Sequence, residues 1–130
     1  MSIALNGQRT ASKPLNRIMF EDAEFCAAWD QMAQRVHALS REQGFWDGER
    51  HPSHPIAHAM SELGESFEAW RMGNPPDKNI SHRSAVEVQL GDVLGLLLDM
   101  SAGYDLDLAG ALIDKMEFNK GRGRLHGKRY

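Results

Sequence analysis

The sequence is short of most features that mark secreted, membrane-bound or duplex-binding proteins. It has one cysteine, Cys26, in 130 residues, so no intramolecular disulfide can form. The N-terminus lacks the continuous apolar core of a signal peptide, and the two absences together predict a cytosolic, reduced chain. Long hydrophobic runs are missing as well. The longest apolar stretch, residues 93–100, is broken by Gly95 and Asp99 and falls well below the ~20 residues that span a bilayer, so no membrane partner is expected. Neither charge sign dominates. A formal net charge of −3 and an isoelectric point near 6.0 provide no general basic field for duplex nucleic acid. Only residues 120–128 are locally basic, which suits a small phosphate-bearing ligand better than a duplex. No segment alternates with period two over a useful length, and no repeat of solenoid length is present.

What remains describes one helical domain. A chain of 130 residues, 42% hydrophobic, can bury one core and is too short for two ordinary domains. Residues 1–19 show no sustained period and read as a flexible arm ahead of a single domain over 20–130. Phe25, Ala28, Trp29, Met32, Val36 and Leu39 recur at helical spacing and predict a first helix over 20–43, closed by Gly44. A loop to residue 52 follows. A second helix is expected over 53–72, with Ser53 as cap and Pro55 in its first turn. Gly73-Asn74-Pro75-Pro76-Asp77 is the clearest break in the chain. A third helix, from after Ser81 to Ala102, is apolar almost all round and is expected to be the central one. The fourth, over 106–120, is capped by Asp105 or Asp107, ended by Gly121, and followed by a basic C-terminal tail. The expected fold class is all-α, a four-helix bundle.

Carboxylates carry the chemical signal. Glu62 and Glu65 are three apart on the second helix, and Gln89 and Asp92 repeat the spacing on the third. Residues i and i+3 of an α-helix lie about 60° apart and roughly 4.5 Å along the axis, so each pair presents its oxygens in one direction. An isolated Glu-x-x-Glu is usually a solvated helix face. Here Ile56, Met60, Leu63 and Phe67 surround the first pair and turn part of that face inward. Asp92 lies in the most apolar helix, where an unpaired carboxylate is costly to bury and calls for a cation. Asp99 returns to nearly the same face seven residues later. It either extends the site or orients a ligand from behind the metal ligands, or it is a hydrogen-bonded residue near a helix end. Glu87, about 140° from Asp92, is a poor substitute for Gln89.

Glu62-x-x-Glu65, the motif ending in Asp92, Asp99 in its Asp-Val-Leu-x-x-x-Leu-Asp run, Lys115-Met-Glu-Phe-Asn119 and His126-Gly127-Lys128 together resemble the MazG-like nucleotide pyrophosphohydrolases of the all-α NTP pyrophosphatase superfamily. The likeness runs from about residue 36 to 128. It implies hydrolysis of a nucleoside triphosphate, ribo or deoxy, to the monophosphate and pyrophosphate. It further implies Mg2+, or Mn2+, held by Glu62, Glu65 and Asp92. The pattern departs at Gln89, where the family carries an acid: an amide oxygen can still ligate a metal, but with one negative charge fewer. The resemblance also implies that Lys115 and Asn119 reach the phosphates or the sugar, and that the chain forms a homodimer or higher homo-oligomer.

The residues are compatible with that chemistry. A triphosphate needs its charge neutralised before water can attack, and Glu62 or Glu65 could take the proton from that water. Arg122, Arg124 and Lys128 offer further cations for phosphate, or are solvated tail charges. His37 and Trp46 are candidates to meet the base, with Phe45 beside them better explained as packing. His54 and His58 have helical i, i+4 spacing, but an oxygen-rich acid set with one cysteine favours magnesium over zinc. Two other readings share this architecture. One is a non-catalytic nucleotide-binding or protein-interaction bundle that has lost full metal binding through Gln89. The other, phosphoribosyl-ATP pyrophosphohydrolase, is less favoured by the Lys-x-x-x-Asn and His-Gly-Lys endings.

Overall fold

In the computed structural model, which describes residues 20–129, the chain is all-α and runs through four helices: α1 (Phe20–Glu42), α2 (Ser53–Arg71), α3 (Ala85–Gly103) and α4 (Leu108–Lys120). The arm expected over residues 1–19 lies outside the described residues. A single 3-10 turn, Arg124–Gly127, follows α4, with Leu125 and His126 at positive φ. No strand occurs among the described residues beyond an isolated bridge between Pro76 and Ser84.

The breaks legible in the sequence end helices by a common device. Gly44 takes φ +88°, its N–H donates to Arg41 O at 3.0 Å, and the N–H of Phe45 donates to Ser40 O at 3.1 Å. These two bonds satisfy carbonyls that α1 would otherwise leave unpaired. Gly73, at φ +85°, and Asn74 repeat the pattern onto Trp70 O and Ala69 O at the end of α2.

Residues 74–84 then turn the chain back. The side chain of Asn74 accepts from Val86 N–H, and Pro75 O accepts from Ala85 N–H, so the exit of α2 is tied to the start of α3. Ser84 and Glu87 form a reciprocal capping box at that start. Glu87 is thereby committed to the helix terminus, and these hydrogen bonds hold its carboxyl below the usual range. Asp107 caps α4 by accepting from Gly110 N–H. The expected Ser53 cap is not made. Pro52 occupies the cap position, and Ser53 Oγ lies 2.8 Å from His51 Nδ1 instead.

Helix α3 packs on both α1 and α2, whereas α4 packs on α1. Helix α2 turns a stripe of small and polar residues, Pro55, Ala59, Glu62, Ser66 and Ala69, away from solvent. Its large apolar stripe, Ile56, Met60, Leu63, Phe67 and Trp70, is exposed, with Met60, Phe67 and Trp70 each about two-thirds accessible. The inward turn expected for that apolar face is therefore corrected. Both stripes have the same 4-3 spacing, and α3 comes close to α2 along the one with small side chains. Leu90, Leu94 and Leu97 are likewise partly exposed, so α3 is central yet buries most deeply only at Leu98, Asp99, Met100 and Ser101.

Candidate active site

A cavity of about 330 Å3 is lined by residues of α1, α2, α3 and the α1–α2 loop. Glu62 and His58 line it from α2, and Gly91, Asp92, Gly95, Leu96 and Asp99 from α3. Val36, Leu39 and Ser40 belong to α1, and Gln43, Phe45 and Arg50 to the loop after it. Gly91 and Gly95 are one turn apart, and a Cβ added at either would meet open space, so side chains there would extend into free volume. A larger depression, about 450 Å3, is lined by Ala38, Arg41, Glu42, Trp46 and Asp47. It contains none of the paired acids of α2 and α3, and the smaller cavity is the chemically furnished one.

At one part of the cavity stand the acids. The Glu62 side chain is only 14% exposed, and its Oε1 lies 3.1 Å from His58 Nε2. With its amide NH2 turned toward them, Gln89 donates to Glu62 Oε2 at 2.5 Å and to Glu65 Oε2 at 3.1 Å. Three of the four residues singled out from the sequence thus converge, with the amide bridging two carboxylates from the neighbouring helix. Rotated by half a turn, the same amide would set three oxygens against one another, an arrangement that a cation or a carboxyl proton reconciles. Asp92 lines the cavity with Glu62 but is exposed, so the burial cost expected for it does not arise.

No group of three or more His, Cys, Asp or Glu among the described residues is arranged to hold a metal ion. Two carboxylates and an amide oxygen nevertheless suit magnesium, which commonly takes one or two protein carboxylates and fills its remaining positions with water and substrate phosphate.

Elsewhere in the cavity lies a buried polar node. Asp99 is 4% exposed. Its Oδ1 is 2.8 Å from His37 Nδ1, and its Oδ2 accepts from Ser40 Oγ at 2.8 Å and Arg50 Nη1 at 2.9 Å. Trp46 Nε1 donates between the two oxygens at 3.1 and 3.2 Å. Burial alone would raise the Asp99 pKa. The partners His37, Ser40, Arg50 and Trp46 outweigh it and hold the carboxyl below its usual value. His37 meets Trp46 edge-on at 4.9 Å, and Trp46 packs against Tyr104 at 5.0 Å between ring centres. Gly103 makes this possible, because a Cβ there would collide with the Trp46 indole.

The residues expected to hold phosphate lie apart from the cavity in this chain. Lys115 and Asn119 are on α4; Lys115 Nζ sits 4.8 Å over the Phe118 ring, and Asn119 Oδ1 is buried without a hydrogen-bond partner. Arg122 packs over the same ring at 5.9 Å, Arg124 opens the 3-10 turn and Lys128 follows it. Arg50, Ser40, Tyr104 and Gly103 were not foreseen. The one available signal was that a carboxylate at position 99 in an apolar helix needs a cation, and fifteen lysines and arginines left that partner undetermined.

No family model matches the chain, and no solved structure matches it. Among curated proteins it is similar to dCTP pyrophosphatase 1 of Mus musculus, 29% identical over 98 residues, and to dCTP pyrophosphatase 1 of Homo sapiens, 30% identical over 98 residues. Each match takes in 72% of this chain and 58% of the relative, so the chain spans little more than half the length of these relatives. No described helix is long and apolar enough to cross a membrane.

Proposed function

We propose that this chain is a MazG-like pyrophosphohydrolase that converts a nucleoside triphosphate to the monophosphate and pyrophosphate. The observation that carries the reading is the convergence of Glu62, Glu65 and Gln89 beside a cavity that Asp92 also lines. Similarity to proteins named dCTP pyrophosphatase supports it. Glu62, Glu65 and Asp92 would hold magnesium or manganese, with Gln89 as a neutral oxygen ligand. Bound there, the metal would offset phosphate charge and lower the pKa of water.

The remaining roles belong to the chain. Glu62 or Glu65 accepts the proton as the water oxygen bonds to the α-phosphorus and the bond from that phosphorus to the bridging oxygen breaks. His58, in contact with Glu62 Oε1, orients that carboxylate. His37 and Trp46 do not line the cavity themselves; they back the Asp99 carboxylate that does, and Phe45 is the aromatic side chain in its lining.

A second copy of the chain would cover the apolar stripes of α2 and α3. We place Lys115 and Asn119 in the phosphate-binding role only within such an assembly, because no residue of α4 lines the cavity in this chain. The competing non-catalytic reading has one observation in its favour: the Gln89 amide can satisfy both glutamates with no cation at all. Product analysis of ribo- and deoxyribonucleoside triphosphates with Mg2+ or Mn2+ separates the two. Monophosphate and pyrophosphate in equal amounts are expected, and no turnover by protein shown to bind the metal would sink the enzyme reading.

A further inference from the structure

We propose that Arg50 reads the nucleobase, and that the cavity selects bases with two adjacent hydrogen-bond acceptors on one edge: cytosine through O2 and N3, or guanine through O6 and N7. The inference rests on the nucleotide reading above and extends it to the base.

The Arg50 side chain is 10% exposed and lines the cavity. A guanidinium carries five N–H donors in a rigid fork, and the bond to Asp99 Oδ2 uses one of them. Among the described residues no other acceptor is bonded to this side chain. The donors left over are available to a ligand that enters the cavity Arg50 lines.

The plane of the fork is fixed from several sides. Its carbon lies 4.8 Å from the Trp46 ring centre and 5.6 Å from that of Phe45, while the Arg50 carbonyl accepts from Tyr104 OH at 2.7 Å. Asp99 cannot take the reading role itself, because four side chains already occupy its oxygens. Asp92 and Asp99 are seven residues apart on α3, which is about 10.5 Å along the axis and nearly the same face. Arg50 therefore sits toward the far end of the cavity from the acids, where the base would lie with the phosphates at Glu62 and Asp92.

A preorganised fork matches two adjacent acceptors. Adenine sets its N6 amino group beside N7 and N1, and uracil and thymine place N3–H between O2 and O4. Each would turn a donor against a donor.

The test compares kcat/KM for CTP, GTP, ATP and UTP and calorimetric Kd values for the four monophosphates. Cytosine and guanine nucleotides should be favoured by about 5- to 150-fold, the discrimination of one bidentate contact; the two arms decide between pyrimidine and purine. In Arg50→Lys, which keeps a charge opposite Asp99 but loses the fork, that ratio should fall toward one. A wild-type preference for adenine or uracil, or no preference, overturns the proposal whether or not the variant folds. So does a variant that weakens all four bases equally, the signature of a phosphate contact or a purely structural role. Selective monophosphate binding with no turnover of any triphosphate would remove the hydrolase reading and leave this inference standing; turnover without base preference would do the reverse.

Discussion

Replacing Asp99 should damage the protein more than replacing any of the paired acids. Asp99→Leu leaves the Arg50 guanidinium buried without its counter-charge and strands the donors of Ser40 and Trp46. Breaking a buried ion pair from one side costs about 3–5 kcal/mol, and each further stranded donor about 1–3 kcal/mol, though such losses within one network do not add. Against a total stability of about 5–15 kcal/mol, a net loss of about 3–5 kcal/mol lowers the melting temperature by roughly 10–20 °C. A double-mutant cycle with Arg50→Met isolates the pair. The two single variants and the double should show a coupling of at least about 1.5 kcal/mol in urea melts at fixed protein concentration. A coupling near zero would refute the node as a cooperative unit. The pH dependence has a defined sign. Because the folded-state pKa of Asp99 is depressed, its contribution is complete above the unfolded value, about 3.9, and is lost as pH falls through the folded value. In Asp99→Asn, the acid limb of the stability curve should flatten.

Three further predictions concern other parts of the molecule. Gln89→Glu should tighten Mg2+ binding at least tenfold, about 1.4 kcal/mol, read by calorimetry; unchanged affinity would place Gln89 outside the site. Gly103→Ala should destabilise by about 1–3 kcal/mol through overpacking against Trp46, although Gly to Ala within a helix is ordinarily favourable by up to about 1 kcal/mol. A raised melting temperature would show that the indole moves aside freely. If a second copy covers the exposed stripe of α2 as proposed, Phe67→Asp with Trp70→Lys should yield a monomer in light scattering, and a wild-type monomer at micromolar concentration would refute the covered-stripe account.

Much of the fold was legible because it rests on local chemistry. Gly44, Gly73 and Asp107 terminate or cap helices through bonds to backbone groups within a few residues, and such signals need no tertiary context. The face that α2 buries was not legible. Two stripes of identical spacing run side by side on it, and hydrophobicity favoured the one that the structure leaves exposed. The acid pair and Gln89 followed from helical spacing. Arg50 did not, because it lies in a loop without periodicity and its role depends on Asp99, 49 residues away. His37 and Trp46 are the sequence's candidates for the base; the structure holds both against that same carboxylate, and neither lines the cavity beside the acids.

Hydrolysis of a nucleoside triphosphate in 18O-enriched water, with Mg2+ present and the products resolved by mass spectrometry, tests the proposed reaction most directly. Attack at the α-phosphorus places one heavy oxygen in the monophosphate and none in the pyrophosphate, and Glu65→Gln should reduce that product to near background. Label in pyrophosphate, or release of diphosphate nucleoside and inorganic phosphate, would contradict the account.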